Sequence, residues 1–321
     1  MHTTSTVSEL FSIVVPVYNS SASLEQLANR IDAVFAAMPG CSYEIVFVDD
    51  ASVRPETWPT LVGLSHRNGN VRAVQLMRNF GQTAATLCGM KLARGDYIIT
   101  LDDDLQHAPE DIPRLIAQRA HDVVFAQFLE VRHSLPKRIL SWLKNLILSY
   151  LIDKPPALQL TSFRLFRREV AQAMLSVVTS SQTTLPPLLF FMTRDVVGVP
   201  VPHNPRAEGS SNYTLGRILV MARNLILNET VLLLQLIGRV GFGIAFLSFI
   251  GGAWVLASKV LLDTVVTGWA SMMIVILVLG GLILFSLGII GQYLARLISG
   301  VEGRPAFVVR REAERDYTNR S

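Results

Sequence analysis

Asp102, Asp103 and Asp104 follow directly on the apolar run Tyr97-Ile-Ile-Thr-Leu101 and precede Leu105-Gln106-His107-Ala108-Pro109-Glu110. Bounded by Gly95-Asp96, that run reads as a buried parallel strand, and open α/β sheets gather their ligands outside the carboxyl ends of such strands. Carboxylates there have the chemistry to hold a hard divalent cation, Mg2+ or Mn2+, against a diphosphate. Such ions accept one or two carboxylates and complete their shells with phosphate oxygens, and the metal would neutralise a departing nucleotide diphosphate. The plainer alternative is a solvated acidic turn that caps a helix near Pro109.

Three further pieces converge with the triple aspartate. Ile13-Val-Val-Pro-Val-Tyr-Asn19 is a strand that breaks into a turn at Pro16, Tyr18 and Asn19. Ile45-Val-Phe-Val-Asp-Asp50-Ala-Ser52 is a second strand ending in adjacent acids, where one carboxylate can accept a hydrogen bond from a base or ribose. Arg78-Asn-Phe-Gly-Gln82 opens a helix, with a glycine that permits close approach and a helix N-terminus that favours anions. Acids at two strand ends weigh against an incidental surface cluster.

The elements that must position these residues are legible as an alternation. Short apolar runs at Ser12–Pro16, Tyr43–Val48, Val71–Leu76 and Tyr97–Leu101 are separated by helical patterns at Leu24–Met38, Pro55–Arg67 and Gln82–Ala93. That order predicts a Rossmann-like, doubly wound, mostly parallel sheet. Ser134 to Ile152 carries apolar residues at helical spacing opposite Lys137, Arg138 and Lys144, which suits either a core-facing surface helix or one lying in a membrane interface. Trp142 and the flanking lysines tilt the reading to the interface.

Half of the 321 residues are hydrophobic, and the excess lies beyond about residue 230. Val240 to Ser258 and Ala270 to Gly291 are uncharged, the loop connecting them holds only Lys259 and Asp263 as charged residues, and each stretch is close to the roughly 20 residues that cross a bilayer core. Both are expected to be transmembrane helices. Arg217, Arg223 and Arg239 precede the first, and Arg296, Arg304, Arg310 and Arg311 follow the second, so both ends are expected on the cytoplasmic side of a plasma or inner membrane. No basic segment precedes an apolar one at the start, and a cleaved signal peptide is not expected. The net charge of +4 comes from residues beside apolar helices, which fits an anionic membrane surface and argues against nucleic acid. Cys41 and Cys88 show no metal-ligand spacing and read as reduced structural thiols.

With these motifs quoted, the chain resembles the inverting family 2 glycosyltransferases of the GT-A fold. More narrowly, it is similar to the membrane-bound polyprenyl-phosphate group that includes dolichol-phosphate mannose synthase and the bacterial undecaprenyl-phosphate transferases. The resemblance implies transfer of one sugar from a nucleotide-sugar, UDP-linked by family analogy, to a polyprenyl phosphate at the cytoplasmic membrane face. It implies that Pro16, Tyr18, Asn19, Asp50, Arg78, Asp102, Asp103 and Gln106 bind the donor, with Asp50 at the base and Asp102 and Asp104 at the metal. Arg206-Ala-Glu-Gly-Ser-Ser-Asn-Tyr-Thr214 resembles the family's loop over the diphosphate and acceptor phosphate, with Arg206, Ser211 and Tyr213 matching and Asn212 where many members have lysine.

One departure matters: Leu158, in Leu158-Gln-Leu-Thr-Ser-Phe-Arg164-Leu-Phe-Arg167, stands where relatives carry an aspartate proposed as catalytic base. A lipid phosphate is already anionic near neutral pH and scarcely needs a base. Position and electrostatics from Arg164, Arg167 and Arg206 then carry the load, the alternative for Arg164 and Arg167 being simple charge neutralisation of a helix or membrane surface. The expected organisation is a cytoplasmic catalytic domain over 1–205 with an interface helix at 134–152, a loop and juxtamembrane helix over 206–230, two spans over 231–298 and a tail over 299–321. A homo-oligomer, with a tetramer suggested by relatives, is also implied. Two other readings stand beside this one: a processive polysaccharide synthase, for which the Gln-x-x-Arg-Trp element and extra spans are lacking, and a catalytically silent membrane partner.

Overall fold

The computed structural model describes residues 9–128, 155, 158–178, 185–202, 268–301 and 305–313, with isolated positions between 241 and 254. The chain divides into two compact units, Met1–Ser210 with Arg304–Ser321, and Ser211–Gly303. In the first, strands β1 (Glu9–Val17), β2 (Cys41–Asp49), β3 (Val71–Leu76) and β4 (Tyr97–Thr100) alternate with helices α1 (Ala22–Ala36), α2 (Thr57–Arg67) and α3 (Gln82–Leu92). A 3-10 turn, Pro109–Asp111, then leads into the short helix α4 (Ile112–Ile116) and strand β5 (Val123–Phe128). Strand β6 (Arg164–Arg167), helices α5 (Arg168–Val177) and α6 (Leu185–Met192), and strands β7 (Val196–Val201) and β8 (Val309–Glu312) are the unit's other elements among the described residues.

These strands form one eight-stranded sheet of order β7-β5-β6-β4-β1-β2-β3-β8. β4, β1, β2 and β3 are mutually parallel, while β6 runs antiparallel to β4 and to β5. Burial on both faces explains why the central strands read as near-continuous apolar runs: every residue of β1 from Phe11 to Val17 is buried. α1 lays Leu24, Leu27, Ala28, Ile31 and Phe35 against the sheet at helical spacing. α3 buries Ala84 to Met90 without interruption, and its Gly89 lies so near Val14 that a Cβ would meet the valine side chain.

Chain order reverses around β1, which lies between β4 and β2. The carboxyl ends of β1, β2 and β4 therefore open onto one crevice, the place where doubly wound sheets bind ligands. Segment 305–313 was expected as part of a tail, and it instead supplies β8, antiparallel to β3 with a bulge between Gln75 and Leu76.

The second unit contains helix α7 (Trp269–Val301), 33 residues without a charge before Arg296. Among the described residues, no helix is long and apolar enough to cross a membrane. The backbone of α7 nonetheless runs unbroken through the second expected span. Of the first, positions 241, 243, 244, 246, 250, 251 and 254 are helical, and the remainder lies outside the described residues, as does the proposed interface helix at 134–152.

Both cysteines are free thiols, and burial pushes Cys88 up to about 12. Iodoacetamide at pH 8 is accordingly expected to label the half-buried Cys41 well before Cys88; equal rates would contradict the packing of α3. Gly95 is hemmed in by backbone, since a Cβ there would lie 2.7 Å from the Leu10 carbonyl and from the Ser12 nitrogen. Gly95→Ala is expected to cost about 1–3 kcal/mol, read as a lowered unfolding midpoint, and an unchanged midpoint would contradict this contact.

Candidate active site

The first wall of the crevice is built by the loops after β1 and β2. Asn19 adopts a left-handed conformation, φ 59°, that turns its side chain back across the sheet edge. Its backbone N–H donates to Ser52 Oγ at 2.8 Å, and its Oδ1 accepts the N–H groups of Val53 and Arg54 at 2.9 and 3.2 Å. Pro16 is buried in β1, whereas Tyr18 is exposed at the rim.

Asp49 and Asp50 point to different tasks. Asp49 is fully buried and accepts Gln75 Nε2 at 2.7 Å and the Ser52 N–H at 2.9 Å. Asp50 takes the N–H groups of Phe80 and Gly81 at 2.7 and 2.8 Å, tying the turn before α3 to the end of β2. Gly81, at φ 93°, is the residue that makes this turn possible. Burial raises the Asp50 pKa, opposed by those two N–H bonds. Arg78 lies over the Phe80 ring at 4.3 Å and faces outward.

The triple aspartate sits on the same rim, after β4. Asp102 accepts Gln82 Nε2 at 2.7 Å and the Ser162 hydroxyl, and Ser162 Oγ lies 3.3 Å from His107 Nε2. His107 is buried and stacked on Phe128, with ring centroids 4.8 Å apart. Leu105 in the left-handed region, φ 59°, folds the loop so that Gln106 bonds Asp104 through both its backbone N–H and its side-chain amide. Burial pushes Asp103 up to about 6, opposed by the Ser20 hydroxyl and reinforced by Asp102 and Asp104. Its Oδ2 is buried without a hydrogen-bond partner among the described residues.

These donors suit a hard cation in kind. An orphaned carboxylate oxygen flanked by two further carboxylates is the environment that Mg2+ or Mn2+ relieves. Among the described residues no three His, Cys, Asp or Glu side chains gather to enclose an ion unaided. Carboxylates of this number leave room in the shell of such an ion for oxygens of a bound ligand.

Arg164 enters from β6. Antiparallel register sets it opposite Thr100, so it reaches the acidic rim and lines a cavity of about 150 Å³ with Asp102, Ser162, Gln82, Thr86 and Pro186. It is 9% exposed, and neither Nε nor Nη1 has a hydrogen-bond partner among the described residues. Burial lowers its pKa to about 10, with Asp102 pulling the other way, so the guanidinium stays charged at neutral pH. A buried cation with free donors is a site for an anion.

Arg167 does not join it. The same register places Arg167 opposite Tyr97, about 10 Å along the strand, where its Nε donates to the Arg119 carbonyl at 3.5 Å. The expectation that both arginines hold phosphates is corrected for Arg167, which belongs to the opposite sheet edge. Leu158 is buried, 5% exposed, and offers no ionisable group. Arg206, Ser211, Asn212 and Tyr213 lie outside the described residues. Sequence reasoning passed over Gln82, Ser162 and His107 as site residues, although all three stand inside the motifs it quoted; their signal was proximity to the acids, and their partners became visible only in three dimensions.

Residues 12–175 match the family described as glycosyl transferase family 2. The undecaprenyl-phosphate 4-deoxy-4-formamido-L-arabinose transferase of Pseudomonas aeruginosa is 35% identical over 315 residues, covering 94% of this chain and 90% of the relative. Its namesake from Erwinia tasmaniensis is 32% identical over 309 residues, covering 95% and 94%. Among solved structures, a mycobacterial protein aligns with a TM-score of 0.50 at 18% identity, covering 68% of this chain and 73% of the other, a likeness of fold. The GT-A-like sheet and the sequence comparisons agree: this chain belongs to glycosyl transferase family 2.

Proposed function

We propose that the protein moves a single sugar from a nucleotide-sugar, UDP-linked, onto undecaprenyl phosphate at the cytoplasmic face of a membrane, with inversion at the anomeric carbon. The observation that carries the reading is the buried Arg164, with free guanidinium donors, in the same cavity as Asp102. A cationic seat beside a carboxylate rim is what a reaction between a diphosphate donor and a phosphate nucleophile requires. The acceptor is supported by relatives whose likeness runs through the apolar C-terminal stretch as well as the sheet.

In this reading the loops braced by Asn19 with Ser52, and by Asp50 with Phe80 and Gly81, receive the nucleotide, with Pro16, Tyr18 and Arg78 at their margin. Asp102 and Asp104 hold the cation, and Asp103 and Gln106 complete the donor side. A bound Mg2+ or Mn2+ would supply charge neutralisation on the leaving diphosphate. Arg164, with Arg206 and the 211–213 loop, orients the acceptor phosphate. An oxygen of that phosphate attacks the anomeric carbon as the bond to the diphosphate breaks, and the bonding pair leaves on the nucleoside diphosphate. The nucleophile arrives ionised, so Leu158 in place of a carboxylate is no obstacle.

The two apolar segments, 240–258 and 270–291, serve as membrane spans in this proposal, since each is an uncharged stretch close to the roughly 20 residues that cross a bilayer core. They keep the catalytic domain beside an acceptor that never leaves the lipid. A homo-oligomer belongs to the same proposal, to be read from the mass of the detergent-solubilised protein.

The test is transfer of labelled sugar from a panel of UDP-sugars, UDP-4-deoxy-4-formamido-L-arabinose among them, to a short polyprenyl phosphate. The expected product is one sugar on an acid-labile lipid phosphate, and a polymer would contradict the reading. Asp102→Ala and Asp104→Ala are each expected to abolish transfer in a folded protein; full activity in either would remove the metal assignment. Arg164→Met is expected to lower turnover by about 10²–10³-fold, whereas Arg167→Met stays within about twofold of wild type. Equal losses would show that strand register does not separate their roles. Leu158→Asp is expected to bring no gain in turnover, and an inactive wild type rescued by it would overturn the argument from an ionised nucleophile.

A further inference from the structure

Strand β8 returns to the sheet after the whole of the second unit has been traversed, and it is fastened to β3 by more than its ladder. Glu312 Oε1 accepts Nε and Nη2 of the buried Arg72 at 3.1 and 2.9 Å. The neighbouring Arg311 does something different. Its guanidinium lies over Trp58 at 4.6 Å, and its Nε donates to Gln75 Oε1 at 2.8 Å.

From Gln75 a hydrogen-bonded series runs straight to the loops at the rim. Gln75 Nε2 donates to Asp49 Oδ2 at 2.7 Å, Asp49 Oδ1 accepts the Ser52 N–H at 2.9 Å, and Ser52 Oγ accepts the Asn19 N–H at 2.8 Å. Asn19 Oδ1 then closes on Val53 and Arg54. Gln75 has only one workable orientation here, since the reverse would set its NH2 against the guanidinium and its carbonyl against a carboxylate. Gln75 and Asp49 are 5% and 0% exposed, so water does not readily substitute for either partner.

We infer that Arg311 is a positioning residue for the donor-binding loop, acting through Gln75 and Asp49 on Ser52 and Asn19, so that the chain segment beyond the helical unit helps complete the nucleotide site. The inference rests on the proposal that this loop receives the nucleotide. Arg311 orients the Gln75 amide, the amide fixes the buried Asp49 carboxylate, and the carboxylate fixes the left-handed turn at Asn19. Removing the guanidinium frees the amide to rotate and lets the loop sample other arrangements.

The experiment is calorimetric titration of the full-length, detergent-solubilised protein with UDP in the presence of Mn2+, with GDP and CDP beside it, paired with donor kinetics. Arg311→Met keeps the aliphatic stem over Trp58 and is expected to weaken binding about fivefold, the loss of one hydrogen bond in an otherwise intact loop. The donor KM should rise in step while kcat at saturating donor stays at the wild-type value, and Arg311→Lys should recover part of the affinity. Glu312→Gln cuts the other fastening of β8 and is expected to lower Tm without changing nucleotide affinity. Wild-type affinity in Arg311→Met would overturn the inference, as would an equal loss in Glu312→Gln, which would make docking of the strand alone responsible. Asp50→Asn separates the two levels. If it binds UDP as tightly as wild type, or if no nucleoside diphosphate binds wild type, the donor-loop reading itself fails and the inference with it. If Asp50→Asn weakens UDP and neither Arg311 variant does, the inference fails alone.

Discussion

Carboxylates crowded at one sheet rim repel one another and would repel the diphosphate that the proposed function brings to them, and much of the described site bears on that conflict. Asp50, Asp102, Asp103 and Asp104 all reach the crevice because β1, β2 and β4 are parallel neighbours. Burial, reinforced by repulsion from Asp102 and Asp104, holds Asp103 up at about 6. Positive charge must therefore be brought to the same place. The fold supplies one fixed part of it, Arg164, by running β6 antiparallel so that its first residue ends at the acidic rim. In the proposed function a divalent cation bound with the donor would supply the second part.

Rigid placement of these charges depends on residues that do no chemistry. Gln82 and Ser162 aim Asp102, Gln106 holds Asp104, and the backbone of Phe80 and Gly81 holds Asp50. His107, flat against Phe128, backs Ser162. Apart from the Gln106–Asp104 pair within one loop, these bonds join separate loops or a loop and a helix, so the rim is a set of turns braced against one another and not a row of independent side chains. Preorganisation of this kind lets electrostatic stabilisation act without the loops reordering during reaction.

Much of this was legible in the sequence, and what was not has specific reasons. Strands buried on both faces leave unbroken apolar runs, and Val71–Leu76 coincides with the run that announces it. The acids were legible because they sit where such runs end. Arg164 and Arg167 looked alike because a motif does not encode strand direction or register; three residues of extended chain carry them to opposite sheet edges. β8 escaped because four residues reading Val-Arg-Arg-Glu, all exposed, carry no apolar periodicity, and their pairing with β3 joins residues more than 230 positions apart. The braces at Gln82, Ser162 and His107 were hidden for the same reason, since a hydrogen bond between distant segments leaves no local trace.

The central claim, that an acidic rim made hospitable by a cation passes a sugar to a lipid phosphate, is tested most directly by following transfer from nucleotide-sugar to polyprenyl phosphate in the wild-type protein as Mn2+ is removed and restored. The account predicts that chelation stops formation of the sugar-phospholipid and that Mn2+ or Mg2+ restores it. Undiminished transfer in excess chelator would contradict it.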